Sequence, residues 1–431
     1  MIRILDGNNR KTRDIIDELN RPSQLEYTEK RNVVCGILED IKKEGDRALL
    51  EYTNRFDGTD YRAIDEVIVS KDEIKQAYTF VSPGLLNAME LSVENIRRYH
   101  ERQLQNSWVT FETDGVMLGQ RITPLGKVGI YVPGGRASYP SSVLMNAIPA
   151  KVANVKEITM VTPPSRDGRV NPATLVAADL AGVDKIYKIG GAQAIAALSY
   201  GTETVKKVDK IVGPGNIYVT LAKKEVFGFV DIDMIAGPSE ILIIADETAN
   251  PAFIVADLLS QAEHDPMASS ILVTDSYELA EQVKTELYKQ TRDISTRNTI
   301  EASLSQYGCI IIVDDIAKAA EVANAIAPEH LELMTSRSDE HLNLIENAGA
   351  IFVGSYSPEP VGDYIAGPNH VLPTSGTAKF YSPLGVDDFI KKSSIIRYTK
   401  EALSKTYKDI AIFARTEGFE AHARSVELRF D

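Results

Sequence analysis

Histidine, cysteine and tryptophan are the scarce residues of this chain, numbering 6, 2 and 1 among 431. The two cysteines, Cys35 and Cys309, lie far apart and neither belongs to a C-x-x-C pair. That excludes a cysteine-rich metal site, points to a reduced compartment, and leaves each thiol to be read as a small hydrophobe. Positive charge is also short: 47 Lys and Arg stand against 61 Asp and Glu, for a formal net charge of -14. A sequence-independent nucleic-acid surface needs clustered cations, so nucleic acid is excluded as a partner. No apolar run approaches membrane-spanning length, and the opening MIRILDGNNRKTRD lacks both an apolar core and a small-residue cleavage site. The expectation is a soluble cytoplasmic protein without a membrane partner. Low-complexity linkers and quotable repeats are absent, as is the dinucleotide fingerprint G-x-G-x-x-G.

What remains is ordinarily globular, with 44 % hydrophobic and 25 % charged residues. A chain of this length predicts two or three domains, each with its own core. From Gln24 to Phe56 the apolar face Val33, Val34, Ile37, Leu38 and Ile41 predicts a long amphipathic helix or helix pair. Lys71 to Gln105 reads as a second helical region broken at Ser82-Pro83-Gly84, with His100 expected at the surface among arginines. Between Arg121 and Asp246 short apolar runs alternate with glycine turns and helical segments, the pattern of a parallel sheet with crossover helices. Three of its strand-to-helix turns carry glycines (PGGRAS, GGAQ, GPGN), where backbone amides could meet a phosphate. SSILVTDS and YGCIIIVDD continue the α/β pattern. Beyond Pro373 the text is less regular, closing in a helical tail over Lys400 to Arg429.

The chain is organised around Asp231 to Asp265. A Gly237-Pro238-Ser239 turn feeds the apolar run Ile241 to Ala245. A helical stretch follows, in which Gln261 and His264, three residues apart, share a face as a divalent metal would require. Pro328 reads as the first turn of a helix, which would set Glu329 and His330 beside exposed amides and favour an ionised Glu329 and a neutral His330. Both would then be in the form a general base needs. Asp363 and His370 share the Gly- and Pro-rich text VGDYIAGPNHVLPT, read as a loop, and His422 stands in EGFEAHARSVELR, five residues after Glu417. Gln261, His264, Asp363 and His422 together would offer two nitrogens and two oxygens, a set suited to zinc or manganese and open to substrate. Spacing alone does not bring them together.

VGIYVPGG, GGAQAIAAL, GPGN, DMIAGPSEILIIAD, LLSQAEHDP, APEHLEL, GDYIAGPNHVLPT and EGFEAHARSVELR, in this order, make nearly the whole chain resemble the histidinol dehydrogenase family. The resemblance implies an α/β fold of two Rossmann-like parallel-sheet domains with a helical N-terminal region and an extended helical C-terminal tail. The expected division is an N-terminal segment 1–24, a first domain of 25–128 plus 239–375 carrying the metal and catalytic motifs, a second domain 129–238 on the NAD side, and a tail 376–431. It further implies oxidation of L-histidinol to L-histidine through an enzyme-held aldehyde, the last steps of histidine biosynthesis, with two NAD in succession and one Zn2+ per site. Carried over residue by residue, Gln261, His264, Asp363 and His422 become metal ligands, and Glu329 and His330 the acid/base pair. Ser239, His330, Glu417 and the metal ligands become substrate contacts, joined by His370, and Tyr131, Gln193 and Asn216 line the NAD site. A homodimer with exchanged tails is implied, His422 and Glu417 completing the partner's site. Neither cysteine falls in a motif that carries chemistry, which argues against a covalent thiohemiacetal. Three other functions stay open at this point: a zinc/NAD dehydrogenase for another small polar alcohol such as a sulfonated diol, a zinc hydrolase, and a metal-dependent binding or structural protein.

Overall fold

The computed structural model describes residues 2–19, 28–134, 138–292 and 294–431. Its strands are β1 (Arg3–Asp6), β2 (Trp108–Thr110), β3 (Val116–Pro124), β4 (Lys127–Tyr131), β5 (Glu157–Val161), β6 (Lys185–Tyr187) and β7 (Lys210–Val212). They continue with β8 (Asp231–Ile232), β9 (Glu240–Ala245), β10 (Ser269–Thr274), β11 (Cys309–Ile312), β12 (His330–Met334), β13 (Ala350–Val353) and β14 (Ile390–Tyr398). Two parallel sheets result, one of six strands in the order β1-β11-β10-β9-β12-β13 and one of five in the order β6-β5-β4-β7-β8. Continuous apolar runs form these strands because both faces are covered by helices. In β9, Ile241 and Ile243 point into one core while Leu242 and Ile244 point into the other. That alternation follows from the twofold period of a strand.

Chain contacts divide the molecule into Met1–Gln103 with Leu125–Phe389, which holds both parallel sheets, and Leu104–Pro124 with Ile390–Asp431. The second unit is an antiparallel sheet, β14-β3-β2, followed by helices Lys400–Ser404, Tyr407–Thr416 and Glu420–Glu427. The N-terminal helix pair is Thr28–Glu44 and Asp46–Asp57, separated at Gly45; residues 24–27 of the predicted stretch lie outside the described residues. One sequence expectation is reversed here. His100 is buried rather than superficial, its Nδ1 2.8 Å from the Ile96 carbonyl oxygen one turn back. Its arginine neighbours in sequence point elsewhere, because a helix turns each successive residue by about 100°. Among the described residues no helix is long and apolar enough to cross a membrane.

Candidate active site

The amino ends of β9 and β12, neighbours in the six-stranded sheet, gather the titratable groups. Glu329 Oε2 accepts the Glu240 N–H at 2.9 Å, and His330 Nδ1 lies 3.1 Å from the Glu240 carbonyl oxygen. A carbonyl only accepts, so this network assigns the imidazole proton to Nδ1 and leaves Nε2 as the bare, basic nitrogen. That Nε2 is buried and unpaired among the described residues.

The expected helix at Pro328 does not form. The helix Ile316–Ile326 ends at Ala327 in a left-handed conformation, φ 53°, and the chain then enters β12. No helix therefore begins at Pro328, and burial governs the pair: the Glu329 carboxyl is pushed well above the usual carboxylate range and the His330 imidazole below its own. The expected neutral His330 keeps its form for a different reason, whereas the expected preference for an ionised Glu329 loses its cause.

Glu359 and Asp363 stand one turn apart in the short helix Glu359–Tyr364. Asp363, expected in a loop, is thus on a helix, since Pro358 and Pro360 open a turn that the following residues complete. Donor atoms of His330, Glu359 and Asp363 all lie within 4.8 Å of one another. Burial raises both carboxyls, and the neighbouring imidazoles, His330 for Glu359 and His264 for Asp363, pull them partly back. His370 Nδ1 is 3.7 Å from Asp363 Oδ1, and burial lowers its imidazole to about 4. A cavity of 1240 Å³ reaches His330, Asp363 and His370.

Gln261 occupies the last turn of the helix Pro251–Ala262, 0 % exposed, with neither side-chain amide atom hydrogen-bonded among the described residues. His264 is exposed just past that helix end, its N–H bonded to the Gln261 carbonyl at 3.2 Å. The pair therefore straddles a helix end instead of sharing one helical face. A buried amide left without partners costs about 1–3 kcal/mol per group, so Gln261 is shaped for an absent ligand. Its amide oxygen, the His264 and His330 imidazoles and the carboxylates fit a divalent cation that takes nitrogen and oxygen ligands.

Behind them lies a carboxyl pair that the sequence reading passed over. Glu332, 1 % exposed in β12, accepts the Glu359 N–H through Oε1 at 2.9 Å and meets the Asp257 carboxyl of the helix Pro251–Ala262. Two carboxyls can share such a contact only if one holds a proton, and burial followed by the Asp257 charge raises Glu332. Ser260 Oγ donates to Glu359 Oε2 at 3.0 Å. The signal was present as an acidic residue inside the otherwise apolar HLELM and another inside AFIVADLLS.

Ser239 is half-buried in the turn before β9, a turn tied down by the Gly237 N–H donating to Thr374 Oγ1 at 2.6 Å. On the five-stranded sheet Tyr131 ends β4 and its hydroxyl accepts the Gly191 N–H at 3.1 Å. Gln193 follows in the helix Gly191–Tyr200, 1 % exposed and with Oε1 unpaired. Asn216 caps the helix Ile217–Val226, Oδ1 accepting from the Tyr218 and Val219 N–H groups at 3.0 and 3.2 Å, so only its amide nitrogen is free for a ligand. Gly213 must be glycine: its φ is 106°, and a Cβ would sit 2.2 Å from the Tyr131 carbonyl oxygen. Glu417 and His422 are exposed in the second unit, Glu417 at the end of the helix Tyr407–Thr416 and His422 against the Phe419 ring.

Two Rossmann-like parallel sheets, with buried Glu329 and His330 beside a metal-capable cluster, define an α/β architecture with a titratable site at the amino ends of one sheet's strands. The histidinol dehydrogenase family model matches residues 20–430. Curated histidinol dehydrogenases of Clostridium acetobutylicum and Bacillus subtilis are 56 % identical over 430 residues and 58 % identical over 411. These alignments span 100 % and 95 % of this chain, and 99 % and 96 % of the relatives. The crystal structure of histidinol dehydrogenase from Elizabethkingia anophelis superposes with a TM-score of 0.94 at 40 % identity, covering 99 % of this chain and 98 % of that one. The chain belongs to the histidinol dehydrogenase family.

Proposed function

We propose that this chain oxidises L-histidinol to L-histidine through the aldehyde, with two NAD as successive acceptors and one zinc per site. The observation that carries the reading is the family match across residues 20–430. Gln261, His264 and Asp363 would hold the zinc together with the partner subunit's His422; manganese suits the same donors. When bound, the ion would supply Lewis acidity and a template for the substrate's imidazole and amine. NAD, lined by Tyr131, Gln193 and Asn216, would accept hydride.

The protein's own groups move the protons. His330 Nε2, bare and buried, takes the proton of the substrate hydroxyl as the C–H bond breaks. Glu329, a stronger base than an exposed carboxylate once ionised, removes a proton from the water that adds to the aldehyde. Ser239, His370 and the partner subunit's Glu417 orient the substrate. Neither thiol competes as nucleophile: burial pushes Cys309 up to about 11, and burial with the Glu225 charge raises Cys35. The tail 376–431 is proposed to exchange between two subunits, and a cytoplasmic setting suits an enzyme dependent on free NAD.

The test follows NADH formation with L-histidinol on protein stripped by a chelator and then restored with zinc. Two NADH per histidinol, lost on stripping and regained with zinc, is the expected result. Turnover of a sulfonated diol in place of histidinol, or product formation without NAD, would overturn it.

A further inference from the structure

We propose that Asp57 is the carboxylate that accepts the adenosine 2′-hydroxyl of the dinucleotide, and that it thereby sets a preference for NAD over NADP. The proposal rests on the assignment of Tyr131, Gln193 and Asn216 to the cofactor.

In an open doubly wound sheet the adenosine ribose lies past the carboxyl end of the second strand, where an acidic residue takes its 2′-hydroxyl. With β4 as the first strand of the five-stranded sheet, β5 is the second, and the chain leaves it as Thr162-Pro163-Pro164, which offers no acid. Asp57 fills that place from outside the sheet, as the final residue of the helix Asp46–Asp57. A Cβ built on Gly190 would come 2.6 Å from Pro163 Cβ and 2.9 Å from Asp57 Oδ1, so the three residues meet at one point beyond β5 and β6.

The two oxygens of this carboxylate have different employment. Oδ2 accepts the Gly190 N–H at 3.2 Å and the Gln193 side-chain amide at 3.5 Å, which leaves Gln193 Oε1 turned away and unpaired. Among the described residues Oδ1 has no hydrogen bond, and no Lys or Arg pairs with the group. Asp57 Oδ1, with no cation beside it, and the buried Gln193 Oε1 are thus two neighbouring acceptors without donors among the described residues. A ribose diol brings donors. A 2′-phosphate brings about two negative charges and no equivalent donor, and so is repelled.

The experiment compares NAD, NADP and 2′-deoxy-NAD as acceptors for the full-length, zinc-loaded enzyme. A charge-assisted hydrogen bond predicts that the native enzyme loses about tenfold or more in KM on removal of the 2′-hydroxyl, with kcat nearly unchanged. Asp57→Asn keeps an acceptor for Gly190. It should raise the KM for NAD by about tenfold, narrow the gap between NAD and 2′-deoxy-NAD, and raise the NADP-to-NAD ratio of kcat/KM. Equal use of NAD and 2′-deoxy-NAD by the native enzyme overturns the proposal and requires no variant, so a poorly folding Asp57→Asn would not blunt the test. Asp57→Asn that discriminates as the native enzyme does also overturns it. Gln193→Ala separates the two levels: if it raises the KM for NAD while the Asp57 result is negative, the cofactor site stands and only the ribose contact falls. If Gln193→Ala leaves that KM unchanged too, the assignment of the cofactor site falls and takes the proposal with it.

Discussion

Among the described residues Glu329 accepts one hydrogen bond, from the Glu240 N–H, and pairs with no Lys or Arg, so the carboxyl depends on its burial for its basicity. Replacing it with Gln keeps that acceptor and removes the proposed base. Glu329→Gln is expected to lose about 10²–10⁴ in kcat with the zinc content unchanged, checked by steady-state rates and metal analysis. If the residue serves the water-addition step, histidinaldehyde turnover should fall with it. His100 supplies a pH signature far from the chemistry. Burial lowers its imidazole, so the folded protein binds fewer protons at this site than the unfolded chain. The resulting stability is full above the ordinary imidazole range near pH 6.5 and is lost as the pH falls below it. Denaturant midpoints measured from pH 7 down to pH 5 should drop more for the native chain than for His100→Gln.

At the scale of elements, the site is a junction. Glu332 of β12 touches both the helix carrying Gln261 and the helix carrying Asp363, so it fixes where those two residues stand relative to each other. A second junction holds the GPGN turn, on the side proposed for the cofactor. Lys223 pairs with Asp233 in full burial, and Asp233 Oδ2 accepts the Gly213 N–H at 2.7 Å while Lys223 Nζ donates to the Gly213 carbonyl at 3.0 Å. Lys223→Met strands the carboxylate and is expected to cost about 3–5 kcal/mol, read as a lower denaturant midpoint. The KM for NAD should rise in the same variant, because GPGN loses its anchor. Glu359 and Asp57 were not legible as site residues, since each sits at a helix end in unremarkable text and acquires meaning only from other elements, Glu332 27 residues away and Ser260 99 residues away for Glu359, and Gly190 133 residues away for Asp57.

For the whole molecule, the proposed exchange of tails makes a prediction that one chain cannot imitate. Subunits carrying Gln261→Ala and subunits carrying His422→Ala should each be inactive alone. After unfolding and refolding together in equal amounts, half the dimers are mixed and each mixed dimer regains one site. About one quarter of native activity is therefore expected. If each tail served its own subunit, mixing would restore nothing. The exposed Ile412, Phe413 and Leu428 on the tail helices are the apolar surface such an exchange would cover.

The sequence by itself determined strands β4 to β7 and β9 to β11 with their crossover helices, because apolar runs and glycine turns are local patterns that burial on both faces enforces; it did not mark β1, β8, β12 and β13 as strands. It also singled out His264, His330 and His370, because histidine is scarce, and with them their motif neighbours Gln261, Glu329 and Asp363. Tertiary structure alone decided that Pro328 leads into a strand, where pairing of β12 with β9 outweighed the local preference of proline for a helix start. It alone buried His100, brought Glu332 to Asp257, and carried Asp57 to the edge of a sheet it does not belong to. The physical reason is common to all four: hydrogen-bond partners and desolvation come from residues distant in the chain, and a one-dimensional pattern cannot contain them.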